Sequence, residues 1–241
     1  IAGEGIVVYN PTSFTCGSTI TAGGETRYVE NVPAKGYAVR TPVKKDDSVS
    51  VKDRSVENKY FIIELNGGME ISRIYDKRCD REILPKGSLA NRLVAYEDYP
   101  CYYDAWELRN YYSQKAYPIN TYSHVEKITD GERSGFKIIR KFENSEIEQN
   151  IWLYEHIDRI DFETKLDWHT EHTLLKTYFP SDVNTDKATF DTQFGNVERP
   201  AHTNTSWDKA KFEVCGHKFA DLSDSGYGIS VLNDCKYGYS V

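Results

Sequence analysis

Apolar and charged positions alternate most strictly over residues 159–168. There Ile160, Phe162, Thr164, Leu166 and Trp168 interleave with Asp161, Glu163, Lys165 and Asp167. A period of two puts the first set on one face of a strand and the second on the other, which predicts a sheet with one side buried. Residues 60–65 and 69–75 flank Asn66-Gly67-Gly68, and residues 124–129 and 136–142 flank Asp130-Gly131-Glu132. Both arrangements are hairpin signals, because glycine reaches φ > 0 without steric cost. Segments 147–154, 173–179, 187–194, 211–215 and 228–232 add candidate strands. Near the start, β-like runs at 6–9, 27–31 and 36–40 are separated by turn residues at 10–11, 23–24 and 33–36. No segment sustains a helical period over the roughly ten to twelve residues a helix requires. The pattern therefore predicts an all-β chain. Residues 1–44 form a small β-domain or the end of a preceding domain, 45–57 a linker, and 58–241 a large antiparallel β-sandwich.

Composition narrows the partners. The 241 residues carry a net charge of −7 with acids and bases interspersed, which argues against a nucleic-acid surface and a polybasic membrane surface. The charge run Lys44-Lys45-Asp46-Asp47 reads as solvated linker. No apolar run approaches the roughly 18 residues of a membrane span. The strand-like residues 5–9 follow Ile1 at once, with no initiator Met or leader, and this predicts a piece of something longer. Cys16, Cys79, Cys101, Cys215 and Cys235 are odd in number, widely spaced and without a CxxC pair. Free thiols in a reducing, cytoplasmic compartment fit this better than a disulfide framework or a structural zinc. In that setting the sequon Asn204-Thr205-Ser206 carries little weight.

Three segments carry candidate chemistry. The first is YEDYPCYYDAWELRNYY at 96–112, with seven rings and four carboxylates in seventeen residues. Flat apolar faces beside hydrogen-bonding carboxylates suit a sugar, which has C–H patches and hydroxyl edges. An aromatic interdomain plug fits the rings equally well. Asp98, Asp104 and Glu107 favour the sugar-facing reading, because carboxylates in an aromatic cluster cost free energy unless bonded or functional. The second is Trp168-His169-Thr170-Glu171-His172. Its histidines are three apart at a strand end and should point to opposite faces, so a metal site is disfavoured. A bonded loop or the lining of a polar groove remains. The third, 194–202, follows a strand and ends in a Pro-containing turn. Arg199 there is an ion-pair anchor for a long loop or a donor to a sugar hydroxyl. Asn204 to Asp208 continue it with Trp207, and contact ligand or cap the loop.

Several blocks, in order, resemble the C-terminal β-region of glycoside hydrolase family 38 α-mannosidases, most nearly the cytosolic and bacterial members. They are NRLVAYEDYPCYYDAWEL, DRIDFETKLDWHTEHTLLKTYFP and TQFGNVERPAHTNTSWDKAKFEV. IVVYNPTSF with VPAKGY resembles the small β-domain preceding that region. NKYFIIELNGGMEISRIYDKRCDREIL resembles its first long hairpin, and GYGISVLNDCKYGYSV continues the pattern. The resemblance implies a galactose-mutarotase-like antiparallel supersandwich, cut short at its C-terminal end. It also implies a parent enzyme that hydrolyses terminal α-mannosides of oligosaccharides or mannan with retention. The aspartate nucleophile and the zinc would lie in an N-terminal α/β barrel, followed by a helical bundle. Both are partners in the same parent chain, so no catalytic residue and no metal ligand is assigned here. A retaining site needs two carboxyl groups about 5 Å apart, and no pair in this chain is argued into that geometry.

The expectation is thus a non-catalytic domain that supports the barrel and lines one side of its sugar site. Tyr103, Asp104 and Trp106 are the substrate-facing candidates, with Arg199 and His202 added to the same face. His169, Glu171 and His172 are polar-groove candidates. The competing readings are an autonomous module for mannose-containing oligosaccharides and a mutarotase-type epimerase. The latter needs an acid and a base on opposite sides of the sugar, and His169 or His172 with Glu171 are too close in sequence for that.

Overall fold

The computed structural model describes residues 5–40, 49–104 and 106–241, so the Lys44–Asp47 run lies outside the described residues. Strands dominate, and every register assigned between them is antiparallel. The chain forms two compact units. One comprises Ile1–Met69, Ile74–Arg81 and Thr121–Thr170; the other comprises Glu70–Arg73, Glu82–Asn120 and Glu171–Val241. The stretch 58–241 contributes to both, and the N-terminal strands belong to the first.

The first unit is built on a sheet ordered His124–Asp130, Arg133–Phe142, Ser145–Tyr154, Ile160–Asp167. Alternation in Arg133–Phe142 and Ser145–Tyr154 puts Phe136, Ile138, Ile147 and Ile151 inward, each at most 1% exposed. The Asp130-Gly131-Glu132-Arg133 hairpin closes with Gly131 at φ 60 in a two-residue loop, as the sequence predicts. Its tip also grips the strand Glu25–Val32. Asp130 accepts the Thr26 N–H at 3.0 Å and the Thr26 hydroxyl at 2.6 Å. Glu132 donates its N–H to Thr26 O at 2.9 Å. Its carboxylate takes the Tyr28 N–H at 2.9 Å and Arg40 Nη2 at 2.7 Å. A Cβ on Gly131 would lie 2.0 Å from Thr26 O, so glycine serves the approach as well as the turn.

Several expectations change. In the Asn66-Gly67-Gly68 turn the left-handed residue is Met69, at φ 56, and neither glycine takes a positive φ. Asn66 Oδ1 accepts the Gly68 N–H at 2.9 Å and closes the turn from its own side chain. Part of the expected linker is strand: Ser50–Val51 and Ser55–Glu57 pair, and Val56 is fully buried opposite Ile63. The strictly alternating segment is a strand, but its apolar face is not buried. Ile160 and Phe162 are half-buried, and Leu166 is 42% exposed. The reason is its edge position beside Ser145–Tyr154, whose Trp152 indole donates to Glu163 at 2.9 Å and whose Tyr154 hydroxyl donates to Asp161 at 2.5 Å. The face expected to meet solvent makes the ordered contacts. Cys16–Ala22, Arg92–Glu97, Gly195–Pro200 and Phe219–Ser223 are strands the pattern did not indicate.

Burial raises the Asp130 and Glu163 carboxyls. Hydrogen bonds outweigh it, from Thr26 and Arg133 to Asp130 and from Arg133 and Trp152 to Glu163, so both titrate below the ordinary carboxylate range. A depressed folded pKa adds stability that is present above the unfolded value near 4 and lost as pH falls through the folded value. Urea titrations at stepped pH should therefore show stability declining below about pH 4–5. Asp130→Asn should flatten that slope, and an unchanged slope would remove Asp130 from the account.

In the second unit, Arg92–Glu97 lies between Ala116–Pro118 and Thr173–Tyr178. Val94, Tyr96 and Tyr112 form a buried cluster, packed by Leu108, Leu174 and Phe212. A second sheet runs Gly195–Pro200, Lys187–Thr192, Phe219–Ser223, Gly228–Leu232. Helix is limited, among the described residues, to a 3-10 turn at Asn110–Gln114 and one α-turn at Ser206–Lys209. The α-turn is held by a capping box between Thr205 and Asp208, too short for any period to reveal.

Candidate functional site

The aromatic run divides into an anchor and an arm. Its ends are buried: Tyr96 and Tyr112 meet edge to face, ring centroids 5.2 Å apart. Lys176 Nζ donates to the Tyr112 hydroxyl at 2.8 Å and to Glu213 Oε2 at 2.7 Å. The ammonium also stands 4.9 Å from the centre of the Tyr112 ring. Burial lowers the Lys176 pKa, but Glu213 and Tyr112 more than compensate and keep it charged. The polar network therefore pins the 3-10 turn to the strand Thr173–Tyr178.

Between these anchors the rings face outward. Tyr103 is 67% exposed and Trp106 88%, and Tyr99, Tyr102 and Tyr111 are exposed too. Glu107 is committed to shaping the arm. Its N–H donates to Tyr103 O at 3.1 Å, its carboxylate accepts the Cys101 N–H at 3.2 Å, and Arg109 Nη2 lies 2.7 Å from it. Asp104 has its side chain 72% exposed. Its Oδ1 lies 3.5 Å from Nδ1 of His172, and the His172 ring stacks on Tyr99 at 4.8 Å and 20°. His172 O accepts the Asp98 N–H at 2.8 Å. Burial and then the neighbouring Asp104 raise the Asp98 carboxyl above its ordinary range, while His172 pulls it down.

Of the sequence candidates, Asp104 and His172 are thus brought together, with Tyr103 and Trp106 on the same arm. Glu171 is exposed beside His172. His169 belongs to the first unit, where its side chain pairs with Asp167 at 2.9 Å and its N–H donates to Ser145 Oγ at 2.8 Å. Among the described residues Arg199 makes no ion pair that would pin a loop. It lies within Gly195–Pro200, donates to Cys215 O at 2.9 Å and stands over the Phe190 ring. His202 Nδ1 lies 3.6 Å from Asp208. Arg199 and His202 line one cavity with Asp208 and Phe212, but its volume of about 30 Å³ admits a water or two and no sugar ring. Tyr99 and Lys176 were not among the candidates, and no local spacing signals them, since each meets partners distant in sequence. Among the described residues no group of three or more His, Cys, Asp or Glu converges to hold a metal. Among them also no helix is long and apolar enough to cross a membrane.

The architecture is that of an all-β, antiparallel sandwich-class region that displays a ring-rich arm. Residues 56–241 match the family model "Glycosyl hydrolases family 38 C-terminal domain", and the chain belongs to that family. It is 33% identical over 98% of its length to "Alpha-mannosidase G" of Dictyostelium discoideum and covers 22% of that protein. It is 34% identical over 78% of its length to "Alpha-mannosidase 2C1" of Homo sapiens and covers 18% of it. The chain thus spans about a fifth of these relatives. The crystal structure of an α-mannosidase from Enterococcus faecalis V583 aligns with 98% of the chain and 31% of its own, at a TM-score of 0.67 and 11% identity, a likeness of fold.

Proposed function

We propose that this chain is the non-catalytic C-terminal β-region of a longer, retaining α-mannosidase acting on terminal α-mannosides of oligosaccharides. In this reading its arm closes one side of a sugar site whose nucleophile and zinc belong to an N-terminal barrel. Family membership and the names of the relatives support the parent activity. The observation that carries the site is the presentation of Trp106 and Tyr103 to solvent beside Asp104 while Tyr96 and Tyr112 stay buried. An interdomain plug would not need an exposed carboxylate among its rings. Rings stack on the C–H face of a pyranose, and the carboxylate accepts its hydroxyls. Five free cysteines support placement in the cytoplasm.

Hydrolysis of an aryl α-mannoside by the full-length enzyme tests the reading. Trp106→Ala should lower kcat/KM by about tenfold, equivalent to about 1.4 kcal/mol. Asp104→Asn should lower it by roughly 10- to 100-fold, the worth of a charged hydrogen bond. Both should leave the thermal midpoint in place. Loss of stability with unchanged kcat/KM would reduce the arm to scaffold. No mannosidase activity in the wild type would remove the parent assignment.

A further inference from the structure

We infer that His172 is a positioning residue that fixes the Tyr99–Asp104 side of the arm through three separate contacts. This rests on the sugar-facing reading of the arm. The His172 carbonyl takes the Asp98 N–H at 2.8 Å, its ring stacks on Tyr99, and its Nδ1 faces Asp104 Oδ1 at 3.5 Å. Backbone, ring face and ring edge of one residue therefore hold three consecutive features of the loop: its departure from the strand Arg92–Glu97, its first exposed ring, and its carboxylate. His172 has the means to do so rigidly. It sits at φ 49, immediately before the strand Thr173–Tyr178, which pairs with Arg92–Glu97 through Glu97↔Thr173 and Tyr96↔Leu174. The loop is thus braced against a strand that is also clamped through Lys176 and Tyr112.

The physical consequence concerns Asp104. With its side chain 72% exposed, a lone carboxylate samples several rotamers, and hydroxyl recognition loses the advantage of a preset geometry. An imidazole edge on one oxygen selects one orientation and leaves the other oxygen free for a ligand. The Tyr99 stack holds the imidazole in its turn. His172 is not itself argued to touch substrate.

The test is a double-mutant cycle in the full-length enzyme, with hydrogen exchange of the arm measured alongside. His172→Asn suits the left-handed backbone while removing ring and edge, and His172→Phe keeps the stack and removes the edge. On kcat/KM for an aryl α-mannoside, His172→Asn should cost about tenfold. Combined with Asp104→Asn it should cost no more than the larger single change, the non-additivity expected of coupled residues. His172→Phe should fall between wild type and His172→Asn. Amides at 98–104 should exchange about tenfold faster in His172→Asn, as local opening becomes easier. Multiplying effects in the cycle, or unchanged exchange at 98–104, would overturn the inference. Faster exchange with fully active Trp106→Ala and Asp104→Asn enzymes would instead sink the sugar-facing reading while leaving His172 as the brace of the arm.

Discussion

Arg140→Met is expected to lower the stability of the first unit by roughly 3–5 kcal/mol, because it leaves three carbonyls without their charged donor at about 1–3 kcal/mol each. Arg140 is 2% exposed, two residues from the end of Arg133–Phe142. Its Nη1 donates to Gly68 O at 2.8 Å and Thr121 O at 3.2 Å, and its Nη2 donates to Met69 O at 2.8 Å. Those carbonyls belong to the turn whose left-handed residue is Met69 and to the entry of the next hairpin. Methionine fills similar space without a donor and leaves three carbonyls facing an apolar side chain. Arg140→Lys should recover part of the loss, since an ammonium lacks the planar fork that reaches separate acceptors. Urea unfolding should show a lower midpoint with an unchanged slope. A midpoint within experimental error of wild type would mean the carbonyls are satisfied by other means and would end the argument.

Gly135→Ala is expected to cost about 3 kcal/mol, the upper part of the range for overpacking. Inside a strand, alanine is ordinarily the better residue, so the sign is diagnostic. Here a Cβ would stand 1.8 Å from Ile151 O and 2.9 Å from its carbonyl carbon, and both are backbone atoms. Gly135 lies opposite Trp152 in the register, so relief requires opening the ladder beside the buried Phe136 and Ile151. Calorimetry should register a fall of about 2–4 °C per kcal/mol for a protein of this size. A raised midpoint would show that the two strands separate at little cost.

The strands over 136–142 and 147–154, which carry the buried Phe136, Ile138, Ile147 and Ile151, were legible in the sequence. Lys187–Thr192, Thr173–Tyr178 and Gly228–Leu232 were indicated too, although no residue of the last two is fully buried. Arg92–Glu97 was not, because Leu93, Val94, Ala95 and Tyr96 are buried in succession and give no alternation to read. The segment 159–168 shows the converse, an ideal alternation at a sheet edge where half of its apolar face stays open. In the site, composition marked residues 96–112 as unusual. It could not separate the buried end rings from the exposed middle, since that division depends on Lys176 reaching in from the strand Thr173–Tyr178 and Phe212 from the bend before Val214–Cys215. The pairing of Asp104 with His172 has no local signature, because sheet topology brings the two segments together. The surroundings of Arg199, held against a carbonyl and a ring beside a water-sized space, likewise come from segments distant in sequence.

The grip of the Asp130–Glu132 tip on Thr26 and Tyr28 spans a sequence separation of 104 residues. On a ribosome adding about 5–20 residues per second, the first strands emerge and then wait roughly five to twenty seconds for the carboxylates that receive them. During that interval Cys16–Ala22 and Glu25–Val32 have each other and little else, with strand edges open to other nascent chains. That hairpin is therefore secured only when a segment about a hundred residues further on has been made, and the yield in cells depends on what shields it during synthesis.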